Sequence, residues 1–172
     1  MGYMACGKTT FGRALAARIG WDFTDLDHEI ERQEGRTAAE IIAADGEENL
    51  RRLESEALKR TASMKKTVVA CGGGTPCWRD NMEFMTLHGL TLWLIASPER
   101  MFERVREAGD TRPLLSGKPD EELRAFILRH LCERQPHYCK AQWRFSGENL
   151  ENEDEINNTI DDFLKEHDFN TQ

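Results

Sequence analysis

The chain has 172 residues, of which 39% are hydrophobic and 31% charged, so we expect one globular domain over 1–172 and exclude a large multidomain assembly or a disordered chain. With a formal net charge of -8, a broad nucleic-acid-binding surface is not expected. No apolar run approaches the roughly 20 residues of a membrane helix, and no export signal opens the chain. Five cysteines without a dense spacing pattern, in a chain with no export signal, predict free thiols in a reducing cytoplasm. We also expect a monomer without a membrane partner.

The first pattern along the chain is a phosphate-binding loop. Residues 2–9 read GYMACGKT and satisfy G-x-x-x-x-G-K-[ST], in which backbone amides and a helix N-terminus surround nucleotide phosphates. Lys8 supplies a point charge, and the Thr9 hydroxyl is a candidate Mg²⁺ ligand. We therefore predict ATP contacts from these loop and helix residues: Ala5, Cys6, Gly7, Lys8, Thr9 and Thr10.

The remaining elements alternate between strand and helix. Apolar spacing and turn residues predict helices over 11–19, 37–42, 47–63, 79–88, 97–108, 120–135 and 156–164, and strands over 21–24, 67–71, 90–96 and 143–145. The composition of residues 109–120 predicts a mobile lid. Such alternation indicates an α/β fold, a three-layer sandwich around a parallel sheet, with ligand sites at the carboxyl ends of its strands.

Two carboxylates follow the first predicted strand. Asp25 and Asp27 are separated by Leu26 and share one side of the chain. An isolated Asp-x-Asp is more often a helix cap, but beside a phosphate loop one carboxylate can hold Mg²⁺. The other can accept a proton from a substrate hydroxyl as its oxygen attacks phosphorus. We therefore predict a magnesium site at Thr9 and one of these two carboxylates.

Several further groups are candidates for binding the phosphoryl acceptor. Arg51 is either a surface arginine or a residue that binds a substrate carboxylate through two hydrogen bonds. In the second case Glu54, three residues further on, would hold its guanidinium in place. The glycines at 72–74 are either a plain turn or a place where a ligand approaches the backbone. Arg112 and Arg134 are either surface residues or parts of a local positive field around the reacting phosphate.

Zinc ligation is the competing interpretation of one segment. His130, Cys132, His137 and Cys139 are zinc-ligand types, but their spacing is poor for a finger. In a helix His130 and Cys132 would point to different faces. We therefore predict no metal site built from protein ligands alone.

Taken together, GYMACGKTT, DLD, GEENLRRLE, CGGG, RPLL and R-x-x-x-Y resemble the bacterial shikimate kinases over almost the whole chain. The resemblance implies a P-loop fold like that of nucleoside monophosphate kinases, with a substrate-binding region over about 27–58. It implies transfer of the ATP γ-phosphate to the 3-hydroxyl of shikimate, on the pathway to chorismate and aromatic amino acids. ATP and shikimate would be the ligands and Mg²⁺ the cofactor.

The same resemblance implies roles for single residues. The catalytic groups would be Lys8, Asp27 as base and contact to the shikimate hydroxyls, and Arg112 as a lid arginine over the phosphates. Arg51 and Arg134 would grip the shikimate carboxylate. Gly72, Gly73 and Gly74 would contact the ring hydroxyls. Arg106 would stack on adenine, and Thr9 and Asp25 would lie at the magnesium ion.

The sequence departs from the family pattern at three places. Ala5 replaces a glycine, which is harmless only if its backbone avoids positive φ. Cys71 stands where threonine is common. The apolar strand that precedes the phosphate loop in the family is missing from this sequence, so we expect a gap in the middle of the sheet, low stability, and a native product with further residues before Met1.

Two other functions remain open on the sequence alone. One is a gluconate or nucleotide kinase on the same scaffold, against which the triple glycine and the RPLL motif argue. The other is a nucleotide-binding module without catalysis, which the missing strand and Ala5 keep possible.

Overall fold

The computed structural model describes residues 1–108 and 118–167, which form four short strands and eight α-helices. The strands are β1 (Asp22–Asp25), β2 (Thr67–Ala70), β3 (Leu92–Ile95) and β4 (Trp143–Ser146). The helices are α1 (Lys8–Ile19), α2 (Leu26–Glu34), α3 (Ala38–Asp45), α4 (Glu47–Arg60), α5 (Asn81–His88), α6 (Pro98–Glu107), α7 (Asp120–Tyr138) and α8 (Glu153–Glu166). Every predicted element is present, with boundaries that differ by a few residues.

Local signals in the sequence account for the helix ends. Gly20 ends α1 with φ 70°, a left-handed conformation that glycine adopts without steric cost. Thr37 and Glu40 form the predicted capping box, in which each side chain bonds the other's backbone amide. Ser97 caps α6 by accepting a hydrogen bond from the amide of Arg100.

All strand pairing is parallel, as predicted. β1 pairs with β2 so that Asp25 lies opposite Ala70, and β3 pairs with β4 so that Ile95 lies opposite Ser146. α1 packs on β1 and β2 and against α8. The Phe163 ring of α8 stands edge-on to Phe11 and Phe145, at centroid distances of 5.2 and 5.0 Å, and so joins α1, α8 and β4.

The two strand pairs are separate sheets within the described ranges, with an apolar cavity between β2 and β3. The cavity has a volume of about 360 Å³ and is lined by strand residues such as Val68 and Leu92 and by helix residues such as Leu58. Met1 occupies one end: its ammonium donates to the Leu92 carbonyl at 2.7 Å, and its carbonyl accepts from the Leu94 amide at 2.9 Å. The gap expected in the middle of the sheet is therefore present.

The length and polarity of the helices bear on membrane insertion. Within residues 1–108 and 118–167, no helix combines the length and the apolar character that a transmembrane span requires.

Candidate active site

The phosphate loop wraps around the start of α1. Gly7 immediately precedes the helix with φ 93°, and a Cβ atom built there would overlap the Leu150 side chain, so only glycine fits. The Lys8 ammonium donates to the Tyr3 carbonyl at 2.9 Å, and the Cys6 amide donates to the same carbonyl at 3.3 Å. The loop thus closes over the first turn of α1, where backbone amides lack helical partners and favour an anion.

Ala5 is a point of strain in this loop. Its φ is 60°, so the condition under which the alanine would be harmless is not met. The Arg104 guanidinium of α6 donates to the Ala5 carbonyl at 3.2 Å and to the Gly147 carbonyl at 2.9 Å. Sequence reasoning missed Arg104 because this contact joins residues 99 positions apart, and no local pattern marks it.

Thr9 and Asp25 are in direct contact, although no sequence motif joins them. The Thr9 hydroxyl donates to Asp25 Oδ2 at 2.7 Å, and Asp25 Oδ1 accepts from the Asp27 amide at 3.1 Å. The Asp25 side chain is only 10% exposed. The Thr9 hydroxyl and the Asp25 carboxylate therefore lie together beside the phosphate loop. Both are oxygen ligands of the kind that Mg²⁺ prefers.

Asp27 lies next to this pair, in the first turn of α2 and open to the cleft. The surrounding protein displaces much of the water around its carboxylate, and the charges of Glu54 and Asp25 oppose its ionisation. Together these effects raise the pKa of Asp27 to about 6, although the Lys8 charge acts in the opposite direction. A carboxylate with that pKa is mostly ionised at neutral pH and is a better proton acceptor than an ordinary aspartate.

The three glycines after β2 each face a different charged group. A Cβ on Gly72 would lie 2.8 Å from Asp27 Oδ1 and 3.1 Å from Glu54 Oε1. A Cβ on Gly73 would lie 3.1 Å from Arg134 Nη1, and one on Gly74 would overlap the Arg51 guanidinium. A side chain at position 72 or 74 would displace Asp27 or Arg51, so the glycines allow these charged groups to lie close to the backbone.

Arg51 and Arg134 reach this glycine loop from different helices. Arg51 Nη1 donates to both Glu54 oxygens at 2.7 and 2.8 Å, and Nη2 donates to Glu47 at 2.8 Å. Glu54 is only 4% exposed, and its carboxylate holds the Arg51 guanidinium, the pairing expected from their spacing. Arg134 lies over the Tyr3 ring at 5.5 Å and forms no ion pair with any described residue.

Two predicted ATP contacts, Arg106 and Thr10, are not brought into this cluster by the described contacts. Arg106 donates to the Lys118 carbonyl at 2.6 Å, contacts Asp120 and lies 5.6 Å from the Phe102 ring. Thr10 is exposed on α1, facing a shallow groove. Arg112 and most of the predicted lid, 109–120, lie outside the described residues.

The zinc alternative finds no support in the described parts of the chain, where no three ligand-type side chains gather. His130 packs on the Phe126 ring at 3.9 Å, while Cys132 is exposed. All five cysteines are free thiols. Burial raises the pKa of Cys71 to about 11.

Three features lie together at the carboxyl edge of β1 and β2. They are the anion-binding start of α1, the hydroxyl–carboxylate pair of Thr9 and Asp25, and the cleft that contains Arg51 and Arg134. This arrangement defines a P-loop phosphotransferase that acts on a small acceptor. The family model for shikimate kinase matches residues 4–165. The chain belongs to the shikimate kinase family, whose members are ATP-dependent kinases.

Individual relatives agree with this assignment. The shikimate kinase of Bacteroides thetaiotaomicron is 41% identical over 159 residues, covering 92% of this chain and 91% of the relative. A crystal structure of shikimate kinase from that organism superposes with a TM-score of 0.93 at 39% identity, covering 96% of this chain and 94% of the other. The shikimate kinase of Acinetobacter baumannii, solved in complex with shikimate, has a TM-score of 0.80 at 32% identity, covering 95% and 88% of the two chains.

Proposed function

We propose that the protein transfers the γ-phosphoryl group of ATP to the 3-hydroxyl of shikimate, as a cytoplasmic monomer with Mg²⁺ as cofactor. The observation that carries the proposal is the position of Asp27. Its carboxylate lies near Lys8 on one side and beside Gly72 and Glu54 on the other, so it faces both the nucleotide and the acceptor. A base at that point can act on a hydroxyl aimed at the terminal phosphate.

The acceptor would be held by its carboxylate and its ring hydroxyls. Arg51 and Arg134 are the cations beside the glycine loop, and guanidinium groups bind carboxylates through two parallel hydrogen bonds. The Glu47 partner of Arg51 is 66% exposed, so substrate can replace it at little cost. The backbone of 72–74 would contact the ring hydroxyls beside the Asp27, Arg134 and Arg51 side chains, which approach it closely.

In the reaction, Asp27 accepts the proton of the 3-hydroxyl as that oxygen forms a bond to the γ-phosphorus. The bond between the γ-phosphorus and the bridging oxygen breaks, and ADP leaves. Lys8 and the amides of the phosphate loop stabilise the negative charge on the transferred group. Thr9 and Asp25 are the residues that would hold Mg²⁺, which neutralises phosphate charge when bound.

An ADP-release assay with three acceptors tests the proposal. We expect turnover with shikimate and none with gluconate or a nucleoside monophosphate. Turnover with either of the others in place of shikimate would contradict the acceptor. ATP binding without phosphoryl transfer to any acceptor would favour the non-catalytic module.

A further inference from the structure

Tyr138 is a buried residue at the end of α7 that contacts the acceptor side of the cleft. Its hydroxyl donates to the Gly73 carbonyl at 2.6 Å across 65 positions of sequence. Its ring packs against Trp93 of β3 with centroids 5.9 Å apart. The helix was predicted to end at Gln135; it continues through Pro136, which places Tyr138 on the same helix as Arg134.

The hydroxyl of Tyr138 lies where Arg134 meets the glycine loop. A Cβ on Gly73 would be 3.1 Å from both Arg134 Nη1 and Tyr138 Oη, so these two polar groups flank one backbone position. Residues four apart on a helix share a face, which keeps the two side chains together. Burial raises the pKa of Tyr138 well above its usual value, so its O–H remains a hydrogen-bond donor at neutral pH.

We propose that Tyr138 is a positioning residue that fixes the Gly73 carbonyl and the Arg134 guanidinium in the geometry that binds the carboxylate of the acceptor. This inference rests on the proposed function. The described contacts of Arg134 are to neutral groups: its guanidinium lies 5.5 Å from the Tyr3 ring, and it flanks Gly73 together with the Tyr138 hydroxyl. The Tyr138 hydroxyl is the neutral group that is itself anchored, through Gly73, to the loop that lines the pocket.

Tyr138→Phe tests the hydroxyl while keeping the ring. We expect the KM for shikimate to rise roughly tenfold, because one buried hydrogen bond is lost and the Gly73 carbonyl keeps only the weakly donating Cys77 thiol, at 3.7 Å. The KM for ATP should stay within about twofold, because no phosphate contact changes. Trp93→Phe is the control: it reduces packing on the same ring, so it should lower Tm while leaving the KM for shikimate unchanged.

A double-mutant cycle with Arg134→Ala separates positioning from packing. If Tyr138 acts through Arg134, adding Tyr138→Phe to Arg134→Ala should raise the KM for shikimate little further. Additive effects of the two substitutions on the KM for shikimate would overturn the inference, and so would equal changes in the KM for shikimate and for ATP. In either case, turnover of shikimate by the wild-type protein would leave the proposed function intact. Absence of wild-type turnover with shikimate would overturn both.

Discussion

The ionised form of Asp27 is the one that the proposed reaction needs, but it is also the form that destabilises the fold. Asp27→Asn removes the proposed base and keeps the shape of the side chain. We expect kcat to fall by roughly 10²- to 10⁴-fold, the usual contribution of a general base. The KM for ATP should change little. Steady-state kinetics with both substrates measures this, and a kcat within a few fold of wild type would remove Asp27 from the mechanism.

The pH dependence of stability gives a second prediction for the same variant. The pKa of Asp27 is raised from 3.8 to about 6 in the fold, so the folded protein binds this proton more tightly than the unfolded chain does. Its ionisation therefore destabilises the fold as pH rises from about 4 to 6. Asp27→Asn should have a higher Tm than wild type above pH 6 and an equal one near pH 4. Thermal melts without ligands test the sign; a variant less stable at pH 7 would contradict it.

Ala5 offers a gain in stability, because its left-handed backbone suits glycine. Ala5→Gly should stabilise the fold by roughly 0.5–1 kcal/mol, since it relieves a conformation that costs L-residues about 1–2 kcal/mol. A rise in Tm of about 1–4 °C is expected. Ala17→Gly, the same change at an exposed position of α1, should lower Tm instead. Identical shifts for both would show that Ala5 is not strained.

At the scale of elements, α4 provides a matched pair of arginines. Arg51 lies at the cleft with a side chain 14% exposed, whereas Arg52 points outward at 57% and pairs with Glu56. Arg51→Ala should raise the KM for shikimate by roughly 10- to 100-fold through loss of a charged hydrogen-bond pair, with the KM for ATP unchanged. Arg52→Ala should change neither. Equal effects of Arg51→Ala on both substrates would refute its assignment to the acceptor carboxylate.

The limits of sequence reasoning also lie at this scale. The glycine that stops α1 and the capping box of α3 act within a few residues, so their patterns predicted the elements correctly. The contact of Thr9 with Asp25 followed only indirectly, because carboxyl ends of parallel strands meet at one edge. The contacts of Arg104 and Tyr138 could not be predicted, because each side chain bonds a backbone carbonyl far away in sequence. Every residue has such a carbonyl, so the sequence does not show which one is the partner.

At the scale of the whole molecule, we expect the apolar cavity between the two sheets to lower stability, because its lining lacks packing partners. An apolar, β-branched extension of about five residues fused ahead of Met1 should pair with the free edges of β2 and β3 and fill the cavity. We expect a Tm higher by several degrees than for the unextended chain. A Gly/Ser extension of equal length is the control, because both extensions remove the buried Met1 ammonium, whose pKa burial lowers. Equal Tm values for the two extensions would show that the cavity does not accept a strand.

The uneven burial of the thiols has a practical consequence. Cys6 and Cys71 are enclosed, whereas Cys132 is exposed on α7, two residues before Arg134. Because maleimides react with accessible thiolates, a fluorophore added at limiting dose should label Cys132 first. The unmodified chain thus offers an optical reporter on α7, the helix that carries Arg134, with which ligand titrations can be followed by emission.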